Sequence, residues 1–297
     1  MKRWKLGIVP LFAAACSSSQ PRHTAPTAPV AAAETTMFSK SDAYERFMGR
    51  FSRQLAVELV AFAGVEDGDA ILDVGSGTGA LAATIRDRTK QSRVVGIDPS
   101  HAYVKYAAAR NQDPRVTFEV GDAQALAQAS ASFDKTIALL VMNFIPNRGA
   151  ALDEMIRVTK PGGTVAAVVW DYGEGMELLR IFWDEAVAFD PSVEPADEKH
   201  MPLCKPGELS AMWKQHGLTN VQEAPLSITT KFASFEDFWG PFLLGQGPGG
   251  AYVAKLSRAK QAELAQRLRK RLLKGGPDRA FALAARAWAV KGTVAPK

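Results

Sequence analysis

Two cysteines in 297 residues, Cys16 and Cys204, are too few for a disulfide framework, and neither has the His or Cys neighbours of a zinc set. No metal is therefore expected. No apolar run reaches the ~18–20 residues that a membrane-crossing helix needs. Histidine is scarce, with four in the chain, so a histidine-based catalytic centre has few candidates. An apolar fraction of 47% with 23% charged residues is ordinary globular composition and argues against wholesale disorder. Charge is the one property out of balance. The formal net charge is +5, and Lys255, Arg258, Lys260, Arg267, Arg269, Lys270, Arg271 and Lys274 crowd one late segment. A basic helix can dock on phosphates or anionic lipid. Without interleaved aromatics a solvated face is the simpler reading, and there is no strong nucleic-acid signal.

What the chain does have is a regular alternation. From Ser41 onward Tyr44, Phe47, Met48, Phe51, Leu55, Leu59 and Phe62 recur at three- and four-residue steps, until Gly64 and Gly68 break the helix. Residues 70–74 form a short apolar strand that ends in a glycine loop and leads into a helix over 80–88. Residues 93–97 form a second strand, closed by Asp98-Pro99-Ser100, with Pro99 placed to start the helix through Arg110. Residues 116–120 form a third strand closed by Gly121-Asp122, and 135–142 a fourth. A helix over 151–159 and a Lys160-Pro161-Gly162-Gly163 turn lead to a fifth strand, 164–170, apolar throughout. Such alternation predicts right-handed βαβ units and a buried parallel sheet. Ligands of these sheets bind beyond the carboxyl ends of the strands, where the Asp and Gly residues just named fall.

After Trp170 the alternation stops. Residues 176–189 read as an aromatic-rich helix, 208–216 as a short helix and 221–232 as a long strand. Residues 235–273 read as helical, interrupted by the glycine run 245–250, and 282–290 as a last strand closing the sheet. Inserts at about 172–215 and 235–275 have the placement of a lid over the strand ends.

The loop Asp73-Val74-Gly75-Ser76-Gly77-Thr78-Gly79 also fits the loose pattern of dinucleotide-binding loops through Gly75, Gly77 and Ala80, so a nicotinamide-dependent oxidoreductase must be weighed. Asp73 counts against it. A pyrophosphate on the following helix N-terminus would bring like charge close to that carboxylate. A ligand carrying an ammonium and a sulfonium suits it. Gly75, Gly77 and Gly79 let the backbone pass close to a ligand. Asp98, 25 residues after Asp73, stands where a carboxylate accepts ribose hydroxyls, and Asp122 where one accepts an adenine amine. A single such Asp is usually a turn former or helix cap; three at successive strand ends are harder to dismiss.

These residues resemble the motifs of class I S-adenosylmethionine-dependent methyltransferases. Ile71 to Gly79 looks like the first motif, Gly96-Ile97-Asp98-Pro99-Ser100 the second, Gly121-Asp122-Ala123 the third and Phe133-Asp134-Lys135 the fourth. The nearest group is the ubiquinone/menaquinone-biosynthesis-like small-molecule methyltransferases, and the likeness covers about 44–170. It implies an α/β, Rossmann-like fold, a mostly parallel seven-stranded sheet with helices on both faces and a helical lid. It also implies that S-adenosylmethionine is the cofactor. Asp73, Gly75, Ser76, Gly77, Asp98 and Pro99 would hold it, Asp122 and Ala123 would lie against the adenine, and Tyr44 would close over the methionine end. Ser76 stands where relatives often have cysteine. Asn143, after the fourth strand, would line the site near the reacting methyl.

No catalytic residue is assigned. A sulfonium methyl is already activated, so transfer needs a base only when the nucleophile carries a proton. His101, His200 and His216 are weak candidates, and His216 reads more simply as a helix end. The Asn-Pro-Pro-aromatic signature of amide and adenine N-methyltransferases is absent. Phe182, Trp183, Phe189, Phe238, Trp239 and Phe242 read first as core and second as the lining of an apolar acceptor pocket. The acceptor expected is small and partly hydrophobic. The oxidoreductase alternative lacks a Tyr-x-x-x-Lys dyad.

Residues 1–36 read as a signal-like or disordered extension ahead of a methyltransferase domain over 37–297. A basic start, an apolar stretch and Cys16 resemble a bacterial lipoprotein signal, although Ala13 stands where that family prefers leucine. Lipidated Cys16 would tether the chain to a membrane, and a tethered, non-catalytic cofactor-binding protein is the alternative from another class. S-adenosylmethionine is made in the cytosol, which favours a cytoplasmic enzyme with translation starting at Met37 or with an unprocessed tail.

Overall fold

The computed structural model describes residues 41–296; the extension 1–36, Cys16 and Met37 lie outside the described residues. The chain enters on a helix in three parts: α1 (Ser41–Tyr44), a π-helical turn (Glu45–Gly49) and α2 (Arg50–Ala63). Apolar spacing buries Phe51, Leu55 and Leu59, each worth roughly 1.5–3 kcal/mol against exposure. Gly64 ends α2 in the left-handed region, its amide reaching back to Val60 and Ala61.

The βα units follow: β1 (Ala70–Val74), α3 (Ala80–Arg88), β2 (Arg93–Asp98), α4 (His101–Arg110), β3 (Val116–Val120), β4 (Phe133–Leu139), α5 (Arg148–Val158) and β5 (Thr159–Trp170). Then come α6 (Glu177–Phe189), α7 (Glu208–Gln215), β6 (Thr219–Phe232), α8 (Phe235–Trp239), α9 (Gly247–Lys255), α10 (Arg258–Leu273) and β7 (Phe281–Thr293).

Among the described residues seven strands form one sheet in the order β3-β2-β1-β4-β5-β7-β6. β1 to β5 run parallel, and β7 inserts antiparallel between β5 and β6. The chain reverses direction in strand order between β1, β2 and β4, so a crevice opens at the carboxyl end of β1. Val165 to Trp170 are at most 1% exposed, as a strand covered on both faces must be. Phe51 of α2 meets Trp170 edge to face at 6.2 Å. Trp213 of α7 lies under Gly292, which pairs with Val165, and its indole N–H donates to the Val165 carbonyl at 3.0 Å. Trp170 and Val165 project to opposite sides of β5, so α2 and α7 cover opposite faces.

Four element boundaries differ from expectation. β4 ends at Leu139, and 142–144 form a 3-10 turn because the chain must leave the sheet where the crevice opens. The turn expected at 160–163 pairs as part of β5, since Gly162 and Val294 bond across the β5–β7 edge at 2.9 Å. The glycine run is less of a break than its composition implies, because Gly247 to Gly250 open α9. There a Cβ on Gly249 would stand 3.0 Å from the Phe182 ring and one on Gly250 2.9 Å from the Gly245 backbone, so tertiary contact overrides propensity. Pro99 does not start α4: Ser100 caps it and His101 begins it. The basic segment is α10 and its flanks, where Arg267, Arg269 and Arg271 pair with Glu263, Asp278 and Asp184.

Candidate functional site

The loop from β1 to α3 is folded down onto β2. The Ser76 amide donates to the Ile97 carbonyl at 2.8 Å, and the Gly79 amide to Ser76 at 2.8 Å. Gly75 and Gly77 both take positive φ, +69° and +52°, for different reasons. A Cβ on Gly75 would stand 2.5 Å from the Val141 side chain, so close packing demands glycine there. Around a Cβ on Gly77 nothing lies within 4 Å. That backbone faces open space, as a surface that receives a ligand does.

Asp98 ends β2 with 8% exposure. One oxygen accepts the Gly77 amide at 2.9 Å and the other the Ser100 amide at 2.8 Å. Burial raises its pKa, and the two amides oppose that rise. Each oxygen keeps a lone pair for a further donor. Asp73 is in a harsher place. It is 0% exposed, and neither oxygen has a hydrogen-bond partner. Burial pushes its pKa up to about 8; the Ala82 amide, leaning toward it without completing a bond, works against this, and Asp98 adds like charge.

A small open cleft lies over these groups, lined by Tyr44, Ser52, Asp73, Gly75, Ser76, Gly77, Thr78 and Leu139. The Ser76 hydroxyl is buried and unpartnered. Tyr44 roofs one side, its ring 5.6 Å from that of Tyr103, and burial raises the pKa of both phenols. The π-helical turn is pinned to the loop below it: Thr78 Oγ1 donates to Glu45 at 2.5 Å, and Arg53 pairs with the same carboxylate.

Of the residues expected from sequence, Tyr44, Asp73, Gly75, Ser76 and Gly77 meet in the cleft, and Asp98 joins them through Gly77. Pro99 is exposed beside them. Asp122 does not line the cleft: it is exposed, and its carboxylate accepts the Gln124 amide at 2.9 Å and side chain at 3.0 Å. Ala123 is half-buried against the core. Asn143 is buried in the 3-10 turn after β4 and is not among the residues that line the cleft; its Nδ2 is unpartnered. None of the three histidines reaches the cleft. His200 pairs with Glu194 at 2.8 Å, and His216 caps α7 and bonds Asp153 at 2.6 Å. Phe182, Trp183, Phe238, Trp239 and Phe242 are buried, mostly against one another, with Phe182 and Phe242 stacked at 4.3 Å. Sequence reasoning missed Glu45 and Tyr103, whose only signals were a place next to Tyr44 and just after the second motif, and gave Thr78 no part beyond its place in the glycine loop. Among the described residues no His, Cys, Asp or Glu cluster is arranged to hold a metal ion, and no helix is long and apolar enough to cross a membrane.

Residues 71–163 match a family model described as a methyltransferase domain. A trans-aconitate 2-methyltransferase of Azoarcus sp. is 34% identical over 111 residues, covering 37% of this chain and 43% of the relative. An erythromycin 3''-O-methyltransferase of Saccharopolyspora erythraea is 32% identical over 119 residues, 39% of each chain. An uncharacterized protein of Mycobacterium tuberculosis is 32% identical over 112 residues, 38% of this chain and 41% of that one. The chain thus spans about two fifths of the curated relatives it matches, and the acceptors in the two functional names have little in common. A solved structure from Anaeromyxobacter dehalogenans, provisionally described as a type II methyltransferase, superposes with TM-score 0.58 at 23% identity, over 82% of this chain and 97% of that one. Haemonchus contortus phosphoethanolamine N-methyltransferase 2, solved with S-adenosyl-L-methionine, gives 0.52 at 19% identity, over 88% and 60%. At such identities the structural likeness speaks to the fold.

Proposed function

We propose that this chain, which carries a class I S-adenosylmethionine-dependent methyltransferase domain, holds that cofactor in the β1 cleft and transfers its methyl to a small, partly hydrophobic acceptor. One observation carries the cofactor assignment: Asp73 is a fully buried carboxylate with no partner, beside a loop whose Gly77 backbone faces open space. An ammonium or sulfonium would draw off the proton that burial holds on this carboxyl and pair with the anion, whereas a pyrophosphate would find no partner in it, which weighs against the oxidoreductase alternative.

Bound there, the cofactor would supply a methyl group already activated for displacement. The chain's own part is positioning. Asp98 would accept ribose hydroxyls on oxygens already oriented by the Gly77 and Ser100 amides. Asp73 and the Ser76 hydroxyl would meet the charged methionine end, Tyr44 would cover it and exclude water, and Pro99, Asp122 and Ala123 would flank the base. Asn143 and the lid, about 172–215 and 235–275, would bound the acceptor. The cytoplasm, where this cofactor is made, is the compartment the reading calls for.

Calorimetry with S-adenosylhomocysteine tests it. The wild-type chain should bind, and Asp98→Ala should weaken binding by roughly a hundredfold or more, the loss of about two hydrogen bonds to a charged group. No binding by the wild type would sink the cofactor assignment.

A further inference from the structure

Beyond β5 the lid carries a buried carboxylate that the cofactor reading leaves idle. Glu198, in the short 3-10 turn Glu198–His200, is 5% exposed. One of its oxygens accepts the indole N–H of Trp183 at 2.7 Å. The nearby cations go elsewhere: Arg180 clamps Asp197 with two bonds of 2.8 Å, and Lys199 reaches Glu194 and Asp197. Among the described residues no cation pairs with Glu198. A buried carboxylate satisfied by one neutral donor is costly, so it either holds a proton or awaits a cation from outside the chain.

Its surroundings favour the second. Trp183 stacks on Tyr252 at 6.2 Å and meets Phe182 edge to face at 5.2 Å. Tyr172, two residues past β5 and 4% exposed, is close enough to both Glu198 and Tyr44 for each to act on its hydroxyl, with the Asn143 side chain beside it. Asn143 Nδ2 is itself buried and unpartnered. Asn143 and Tyr172 follow the carboxyl ends of the paired strands β4 and β5, and a ring chain Phe47–Phe242–Phe182–Trp183 runs from the π-helical turn to the indole partner of Glu198. A carboxylate among aromatic rings is the chemistry that selects an ammonium ion.

We propose that Glu198 is the acceptor-recognising anion of this site, and that the acceptor is an amine, bound as its ammonium form. The inference rests on the methyltransferase reading above. In the step it implies, an ammonium N–H bond breaks and its proton passes to the Glu198 carboxylate. The freed nitrogen lone pair forms the N–CH3 bond as the S–CH3 bond breaks, and the electrons of that bond stay on sulfur. The product leaves as a methylated ammonium, and Glu198 returns its proton to water. Burial pushes the Glu198 pKa up to about 7, against the pull of the Trp183 hydrogen bond; Asp197 adds to the rise and Arg180 opposes it. Tyr172 and Cys204 face the same carboxylate from β5 and the loop before α7.

The test uses the intact chain saturated with S-adenosylhomocysteine, titrated calorimetrically with benzylammonium chloride and separately with neutral benzyl alcohol. Benzylammonium should bind about tenfold tighter at pH 8, the scale of a desolvated cation–π and ion-pair contact, and lose that advantage as pH falls through about 7. Glu198→Gln, which can still accept from Trp183, should erase the preference and leave S-adenosylhomocysteine affinity unchanged; Glu198→Asp should keep part of it. If Glu198→Gln does not fold, the charge preference and pH dependence of the wild type decide alone. Equal or absent binding of the two probes by a chain that still binds S-adenosylhomocysteine overturns the role of Glu198. Failure to bind S-adenosylhomocysteine overturns the cofactor reading instead.

Discussion

Asp73 shows how one residue ties stability to function. Its side chain is buried at the floor of the cleft, so its charged form lacks both water and a partner. In the unfolded chain this carboxyl ionises in the ordinary range, near 3.8, and in the folded chain near 8. Between those values the unfolded state loses a proton that the native state keeps. Stability of the ligand-free protein therefore falls as pH rises from about 4 to about 8 and levels off above, and below 4 the group contributes nothing. Asp73→Asn removes the ionisation. Its thermal midpoint should exceed that of the wild type by a margin that widens up to pH 8, at about 2–4 °C per kcal/mol. The same variant should bind S-adenosylhomocysteine more weakly, because the partner of its ammonium is gone. A constant gap in thermal midpoint across pH 5–9 would refute the assignment of Asp73 as the titrating group.

At the scale of elements, the β1–loop–α3 unit provides the floor of the cleft and the π-helical turn its roof. A π turn inside a helix widens the backbone by a residue and often marks a functional site. Here it sets Tyr44 over the cleft and points Glu45 at Thr78. That bond ties roof to floor, so it should slow the departure of a ligand. Thr78→Val keeps the shape and removes the donor while Arg53 still pairs with Glu45. The dissociation rate of S-adenosylhomocysteine by stopped flow should rise about tenfold, the worth of one hydrogen bond to a charged group, with little change in thermal midpoint. An unchanged rate would mean that the roof opens elsewhere.

The whole molecule holds the two halves of the site apart and then joins them through one sheet. Asp73 and Asp98 come from β1 and β2, Asn143 and Tyr172 from the ends of β4 and β5, and the lid from segments beyond. A ligand in the cleft bridges the entry helix and the sheet, so it stabilises the fold as a unit. S-adenosylhomocysteine at a hundred times its Kd should add about 2.7 kcal/mol and raise the thermal midpoint by about 5 °C or more. NADH at the same concentration should raise it by less than 1 °C, roughly the scatter of such scans; an equal shift would revive the oxidoreductase alternative.

The sequence by itself determined the alternation of β1 to β5 with their helices, because a strand buried on both faces is written in unbroken apolar runs and its loop in glycines and acids. It also marked Asp73, Gly75, Gly77 and Asp98 as one set, which the fold brings together at the cleft. Only the tertiary structure decided the rest. The antiparallel insertion of β7 between β5 and β6 is a choice of register among distant strands, with no local signature. The helical start at Gly247 runs against intrinsic propensity and exists because rings pack where a Cβ would stand. Asp122 carries the spacing of a site residue, and the bonds its carboxylate accepts from Gln124 have no signature in that spacing. Glu198 sits in a stretch rich in prolines and acids that reads as solvated loop. What removes it from water, and strips it of a cation, is the packing of Trp183 and the capture of Arg180 by Asp197.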